Sequence, residues 1–208
     1  MFSTYKHFLF LLLGIILLSN CQSTQHDLSV IPENLIDKGT IPDIENYYAE
    51  NRVNYGTPIG EIQFTTNGDT IDFKNGVVPW ADIATPDSTL KLLINPNEVV
   101  LSSSTVSVVI DYPLTTPSTY IISSKDGFTR AELLKSISTL YFKIYDEEAA
   151  STTIPVTPLK KRTTLLNRNH TNGKHGIWGH DIEDLSLTDA AVYRTDKDSI
   201  ILTLNIDS

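Results

Sequence analysis

The chain has 208 residues, with 16 basic against 25 acidic side chains, one cysteine and a formal net charge of −9. That length fits a single domain with a proper hydrophobic core. One cysteine excludes an intramolecular disulfide, and the acidic balance excludes nucleic acid as a partner, because phosphate binding rests on clustered Lys and Arg.

The first twenty residues are MFSTYKHFLFLLLGIILLSN. Lys6 gives a positive n-region, and Phe8 to Leu18 are apolar apart from Gly14. This is the layout of a secretory signal peptide. The run is about half the roughly 20 apolar residues that a spanning helix needs. An ordinary signal peptide would leave Cys21 as an exposed thiol in an oxidising compartment, and an odd cysteine there calls for another explanation. Leu18-Ser19-Asn20-Cys21 resembles the bacterial lipobox: aliphatic, small, small, cysteine. The resemblance implies cleavage before Cys21 and a covalent diacylglyceryl and acyl lipid on it, with no other cofactor. Two or more acyl chains are what stable anchoring requires. Loss of Lys6 with the signal leaves 188 residues carrying 15 basic and 25 acidic side chains, a net −10. A body so acidic is repelled by an anionic bilayer, so the lipid is the expected membrane contact.

Residues 21–27 read as a polar tether, and 28–208 as one α+β domain. A short helix is expected near Pro42 to Arg52, with Pro at a first-turn position and Ile44, Tyr47 and Tyr48 on one side. From Glu61 the period changes to two. Ile62 and Phe64, then Asn67-Gly68, then Ile71 and Phe73 read as a hairpin, since Asn-Gly supplies positive φ at both turn positions. Asn75-Gly76 reads as a second turn. Leu90–Ile94, Glu98–Ser102, Thr105–Tyr112 and Ser118–Ser123 are further strand candidates, punctuated by prolines 79, 86, 96, 113 and 117. Together they predict an antiparallel meander.

Thr129-Arg130-Ala131-Glu132 is a capping box, with Phe128 and Leu133 as a hydrophobic staple. Leu133, Leu134, Ile137, Leu140, Tyr141, Ile144 and Tyr145 follow helical spacing. This predicts one long helix, about Thr129 to Tyr145, with its apolar stripe on one face of the sheet. Asp146, Glu147 and Glu148 then fall where the helix dipole disfavours negative charge. Residues 149–180 hold no acid but carry Lys160, Lys161, Arg162, Arg168 and Lys174. The segment is +5 against −15 for the rest of the mature chain. It has no period, so residues 149–176 read as a mobile basic loop. Leu185 and Leu187, a turn at Asp196–Ser199, then Ile200, Leu202, Leu204 and Ile206 predict a C-terminal hairpin.

The densest chemistry lies at His175-Gly176-Ile177-Trp178-Gly179-His180-Asp181-Ile182-Glu183-Asp184. Two imidazoles and three carboxylates in ten residues could furnish a metal site or an acid–base pair; His170 adds a third imidazole. Against that, His175 and His180 are five apart and point away from each other on a strand or a helix. Only a loop could join them, and Gly176 and Gly179 permit one. The competing reading has Ile177 and Trp178 plug the core edge while His180 and Asp181 make local hydrogen bonds. The His-Asp doublet is similar to that of the HD metallohydrolases, whose helical domain and further ligands are missing here. No Gly-x-Ser-x-Gly elbow, phosphate loop, His-Glu-x-x-His or EF-hand pattern is present.

Asp72-Phe73-Lys74-Asn75-Gly76-Val77-Val78-Pro79-Trp80, Asp126-Gly127-Phe128-Thr129 and the segment from Gly176 to Leu185 resemble words of an uncharacterised protein family of Bacteroidota. The resemblance covers most of residues 60–208 and transfers no site. It implies that Asp69-Thr70-Ile71, Asp87-Ser88-Thr89 and Asp198-Ser199-Ile200 match a glycosylation pattern of that phylum. Gln22-Ser23-Thr24-Gln25 after the cysteine lacks the acids that surface export there resembles needing. Gln22 also resembles an outer-membrane sorting residue, so the expectation is the outer membrane, facing the periplasm. Three functions stay open from sequence. One is a non-catalytic binding module with a protein or glycan partner, its candidate site being His175, Trp178, His180, Asp181, Glu183 and Asp184. The second is a metal-dependent hydrolase using His175, His180 and Asp181 or Asp184, and the third is an immunity-type protein that blocks a toxin.

Overall fold

The computed structural model describes residues 55–162 and 168–208. Cys21, the signal, the tether and the helix expected at 42–52 lie outside the described residues.

Among the described residues, ten strands and two α-helices form an α+β fold, as the sequence predicts. The strands are β1 (Thr57–Gln63), β2 (Thr66–Asn67), β3 (Val77–Val78), β4 (Ala81–Asp82), β5 (Val99–Leu101), β6 (Thr105–Ile110), β7 (Ser118–Ser123), β8 (Phe128–Thr129), β9 (Ser186–Arg194) and β10 (Ile200–Asp207). The helices are α1 (Pro86–Leu92) and α2 (Arg130–Ser151). The main sheet runs β1-β9-β10-β6-β7, and β4 pairs with β9 beyond the end of β1. The expected C-terminal hairpin is present as β9 and β10, and it occupies the centre of the sheet. Its turn is closed by Asp198 at φ 63°, a conformation Asp tolerates better than most residues.

The pairing order departs from a meander. β10 lies parallel to β6, from Ile200 opposite Val106 to Thr203 opposite Val109, so the sheet is mixed. Strands β2 with β3, and β5 with β8, form separate two-stranded ribbons. The hairpin expected at Asn67-Gly68 is absent. Ile71, read as a strand residue, is exposed, and 68–76 is a loop whose ends meet through Gly68 N–H donating to the Gly76 carbonyl at 2.9 Å. The turn is made instead by Asn75 and Gly76, at φ 63° and 65°. Leu90 to Ile94, expected as a strand, is the end of α1 and its exit. Pro86 at the first turn and Asp87 beside it favour helix entry there.

Helix α2 starts as predicted and runs farther, to Ser151. Thr129 Oγ1 accepts from Glu132 N–H at 3.2 Å, while Thr129 N–H donates to the Glu132 carboxylate at 2.8 Å. The amides of Arg130 and Ala131 donate to the Glu98 and Pro96 carbonyls, each at 2.9 Å, so the first-turn donors find partners. Leu133, Leu134, Ile137, Leu140, Tyr141 and Ile144 are fully buried with Val106, Val108, Ile110, Tyr120, Leu187, Val192, Leu202 and Phe128 in one core. Two polar side chains fix the helix on the sheet. Ser138 Oγ donates to the Ile83 carbonyl at 2.6 Å, and Tyr141 Oη donates to the Tyr112 carbonyl at 2.8 Å.

Leu140→Ala should cost about 2–5 kcal/mol, the range for deleting a buried leucine side chain. Thr129→Ala should cost about 1 kcal/mol through the lost cap. Urea unfolding of both variants measures these. A cost near zero for Leu140→Ala would remove α2 from the core.

Candidate functional site

The segment from Arg168 to Gly179 is placed by the end of helix α2. Glu148 faces inward there, fully buried. Its carboxylate accepts the main-chain N–H of Gly173 at 2.7 Å, of His175 at 2.8 Å and of Gly176 at 3.0 Å. The buried Thr171 hydroxyl is within hydrogen-bonding reach of both this carboxylate and the Ile177 carbonyl oxygen, the latter at 3.1 Å, and shares its one proton between them. Burial works to raise the Glu148 pKa. The donors from Thr171, His175, Gly173 and Gly176 outweigh it and hold the group at about 2. A side chain at position 173 would press its Cβ within 2.7 Å of the carboxylate, so glycine is required for the amide to reach it. Ser151 adds a link: its hydroxyl donates to the Glu147 carbonyl at 2.7 Å and accepts from Lys174 N–H at 2.8 Å. The part of the basic segment expected to be a mobile loop is thus, from 168 to 176, tied to the body. Its amides go to a buried carboxylate, a use that no charge count discloses.

Glu147, next on the helix, takes the outer edge. It accepts from His175 Nε2 at 2.8 Å and from Lys174 Nζ at 2.9 Å. Burial raises its pKa, and these two partners override that and lower it. The His175 ring is fully buried, with Nδ1 3.1 Å from Ser118 Oγ. Ser118, His175 and Glu147 have the partner order of a nucleophile, base and acid. Ser118 is only 1% exposed, and among the described residues it does not line the three clefts of this region. The trio pins 175 to β7.

Beyond His175 the chain runs antiparallel to 113–116. Thr116 N–H donates to the His175 carbonyl at 3.0 Å, Thr115 N–H to Gly176 at 2.9 Å, and Trp178 N–H to Pro113 at 3.1 Å. Ile177 is buried in the core, and its neighbour Trp178 remains 38% exposed. Trp178 meets Tyr112 edge-on (5.1 Å, 82°) and His180 likewise (5.7 Å, 68°). Tyr112 Oη is 2.6 Å from Ser208 Oγ, and Tyr145 Oη donates to the His180 carbonyl at 2.9 Å. In front of the rings lies a cleft of about 600 Å³ lined by Asp111, Tyr112, Leu114, Thr115 and Trp178. Burial raises the Asp111 pKa, against hydrogen bonds from its own amide and that of Tyr112.

The sequence-adjacent candidates therefore divide. Trp178 and His180 come together with Tyr112. His175 turns inward to Ser118 and Glu147. Asp181 receives Arg162 through two nitrogens, at 2.5 and 3.1 Å, and caps the short turn Ile182–Asp184 reciprocally with Asp184. Glu183 is exposed on that turn. The two imidazoles take different partners, and among the described residues no group of three His, Cys, Asp or Glu side chains could hold a metal ion. The glycosylation-pattern residues Thr70, Ser88 and Ser199 are exposed. Among the described residues, no helix is long and apolar enough to cross a membrane. Sequence reasoning missed Glu148, Glu147, Ser118 and Tyr112. The misfit of the two glutamates with the helix dipole was the one available signal, and it marked the right place. Comparison with known proteins finds no matching family model, no matching curated protein and no matching solved structure.

Glu148→Gln should destabilise the fold by about 3 kcal/mol at pH 7, the scale set by a carboxyl lowered from its ordinary 4.5 to about 2. A depressed pKa contributes stability that is present above the unfolded value and lost as pH falls through the folded one. The gap between wild type and variant should therefore be full above about pH 5 and close toward pH 2. Urea midpoints measured across that range check it; a gap independent of pH would refute the assignment.

Proposed function

We propose that the protein is a lipid-anchored, non-catalytic binding module of the bacterial envelope, with its ligand seated at the Tyr112–Trp178 cleft. The carrying observation is the exposed indole held by ring and backbone contacts at an open cleft. Trp178 is gripped by backbone pairing on one side and by two rings on the other, yet over a third of it stays in solvent. Concave sites lined by aromatic rings and a few polar groups are the usual form of ligand pockets. The buried Ser118, His175 and Glu147 serve packing in this reading, and Asp181 and Asp184 serve a turn. The anchor is Cys21, behind the lipobox-like Leu18-Ser19-Asn20, and the outer membrane facing the periplasm is the location that Gln22 to Gln25 favour.

Two measurements test the two halves. Cells fed an alkyne fatty acid should label the wild-type chain and leave Cys21→Ser unlabelled; label retained in the serine variant would defeat the anchor. For the cleft, a screen of small aromatic and polyol fragments by NMR should give shifts clustered at Trp178, Tyr112 and Thr115. Shifts scattered elsewhere, or none, would overturn the binding reading.

A further inference from the structure

The cleft does not stand alone. Tyr112 also lines a second cleft of about 350 Å³ with Thr188, Asn205 and Asp207. Thr115 also lines a third of about 400 Å³ with Thr116, His170 and Thr171. Tyr112 and Thr115 are each shared by two clefts, so the three adjoin in series through the cleft that holds the aromatic pair. Each cleft is already within the size of a small-ligand site, about 300–1,000 Å³. In series they suit a chain of repeating units better than one compact molecule.

We propose that this series is a groove for a neutral oligosaccharide, with one sugar ring packed on Trp178 and its neighbours reaching toward Asn205 on one side and Thr116 on the other. This rests on the cleft being the binding site. Three observations select the ligand class. First, among the described residues no lysine or arginine lines any of the three clefts, and Asp111 and Asp207 do, so an anionic chain meets repulsion there without a counter-charge. Second, the polar side chains along the series are hydroxyls, the carboxamides of Asn205 and Asn172, carboxylates and an imidazole, set among Leu114, Ile154, Leu204 and Ile206, and these polar groups match the hydroxyl rim of a sugar. The rings at the centre match its apolar C–H face, as amphipathic aromatics do at wet interfaces. Third, an extended peptide normally adds its backbone to a free strand edge. Here the amides of Thr115, Thr116 and Trp178 are already spent on Gly176, His175 and Pro113. Side chains, not main chain, are left to recognise the ligand.

The test is calorimetric titration of the mature protein with cellohexaose, xylohexaose, maltohexaose and mannohexaose. Polygalacturonic hexamers and an uncharged hexapeptide serve as comparators. At least one neutral hexaose should bind, and its disaccharide should bind at least about tenfold more weakly, a difference of about 1.4 kcal/mol. Trp178→Ala should lose about tenfold or more in affinity, and Trp178→Phe should recover part of it. Thr116→Ala should weaken the hexaose but leave the disaccharide unchanged. Binding of the acidic hexamer or the peptide at Trp178, without any neutral hexaose, would overturn the sugar assignment and leave the cleft standing. Neutral hexaose binding that ignores Trp178→Ala would place the sugar elsewhere and overturn both. If no probe binds and no fragment shifts Trp178, both fall as well.

Discussion

One buried carboxylate organises this molecule. Glu148 sits near the end of a 22-residue helix, where the dipole opposes it, and it is out of contact with water. Burying a charge that way is costly unless it is fully hydrogen-bonded. The chain meets that need with three consecutive-region amides, Gly173, His175 and Gly176, aimed at one group. Those amides belong to a stretch with no periodicity and no secondary structure of its own to satisfy them. Each side solves the other's problem: the carboxylate finds donors, and an irregular segment finds an acceptor for amides that would otherwise be buried unpaired.

The cleft inherits its geometry from that contact. With 173–176 fixed, the chain is delivered alongside 113–116 and pairs with it, Ile177 drops into the core, and the next side chain must point the other way. That side chain is Trp178. Gly176 and Gly179, at φ 64° and 71°, let the chain turn on either side of it. At Gly176 a Cβ would also meet Thr115 at 2.9 Å. The exposed indole is thus the outcome of packing made 30 residues away in sequence at Glu148 and 65 away at Pro113. Tyr112 arrives from the end of β6, held through its carbonyl by Tyr141 of α2. The same helix therefore places both rings of the cleft, one through Glu148 and one through Tyr141.

What was legible in the sequence was local. The Thr129–Glu132 cap, the stripe from Leu133 to Ile144, strand β7 and the terminal hairpin are written in short-range periods and cap chemistry, and each appears where those rules place it. What was not legible depended on partners far along the chain. β6 pairs in parallel with β10, almost a hundred residues later, and no period in either strand names the other. Asn67-Gly68 carries a strong hairpin signal, but the chain turns at Asn75-Gly76, and the two pairs cannot be ranked without knowing what Phe64 and Val78 pack against. The His-Asp cluster shows the same limit from the other side. Neighbours in sequence, His175 and His180, part company because one residue of each alternate pair must face the core. The residues that join His175, Ser118 and Glu147, come from 57 and 28 positions away.

The charge asymmetry needs the same weighing. The basic segment and the acidic body invite an account in which opposite charges hold the two together. Lys174 with Glu147 and Arg162 with Asp181 do pair; Lys174 is 43% exposed in its side chain, and a pair so open contributes little, from about zero to 1 kcal/mol, and fades with salt, whereas Arg162, 9% exposed and held through two nitrogens, is better sheltered. Lys160 and Lys161 are exposed. The neutral amides on Glu148 act where water is absent and screening is weak. Attachment of the segment, and with it the pose of Trp178, therefore leans most on the ionised Glu148 and the steric freedom of Gly173, with the His175 contacts and the pairing to 113–116 beside them. Ionic strength acts mainly on its rim. A cleft built this way should keep its shape over a wide range of salt and lose it in acid strong enough to protonate Glu148.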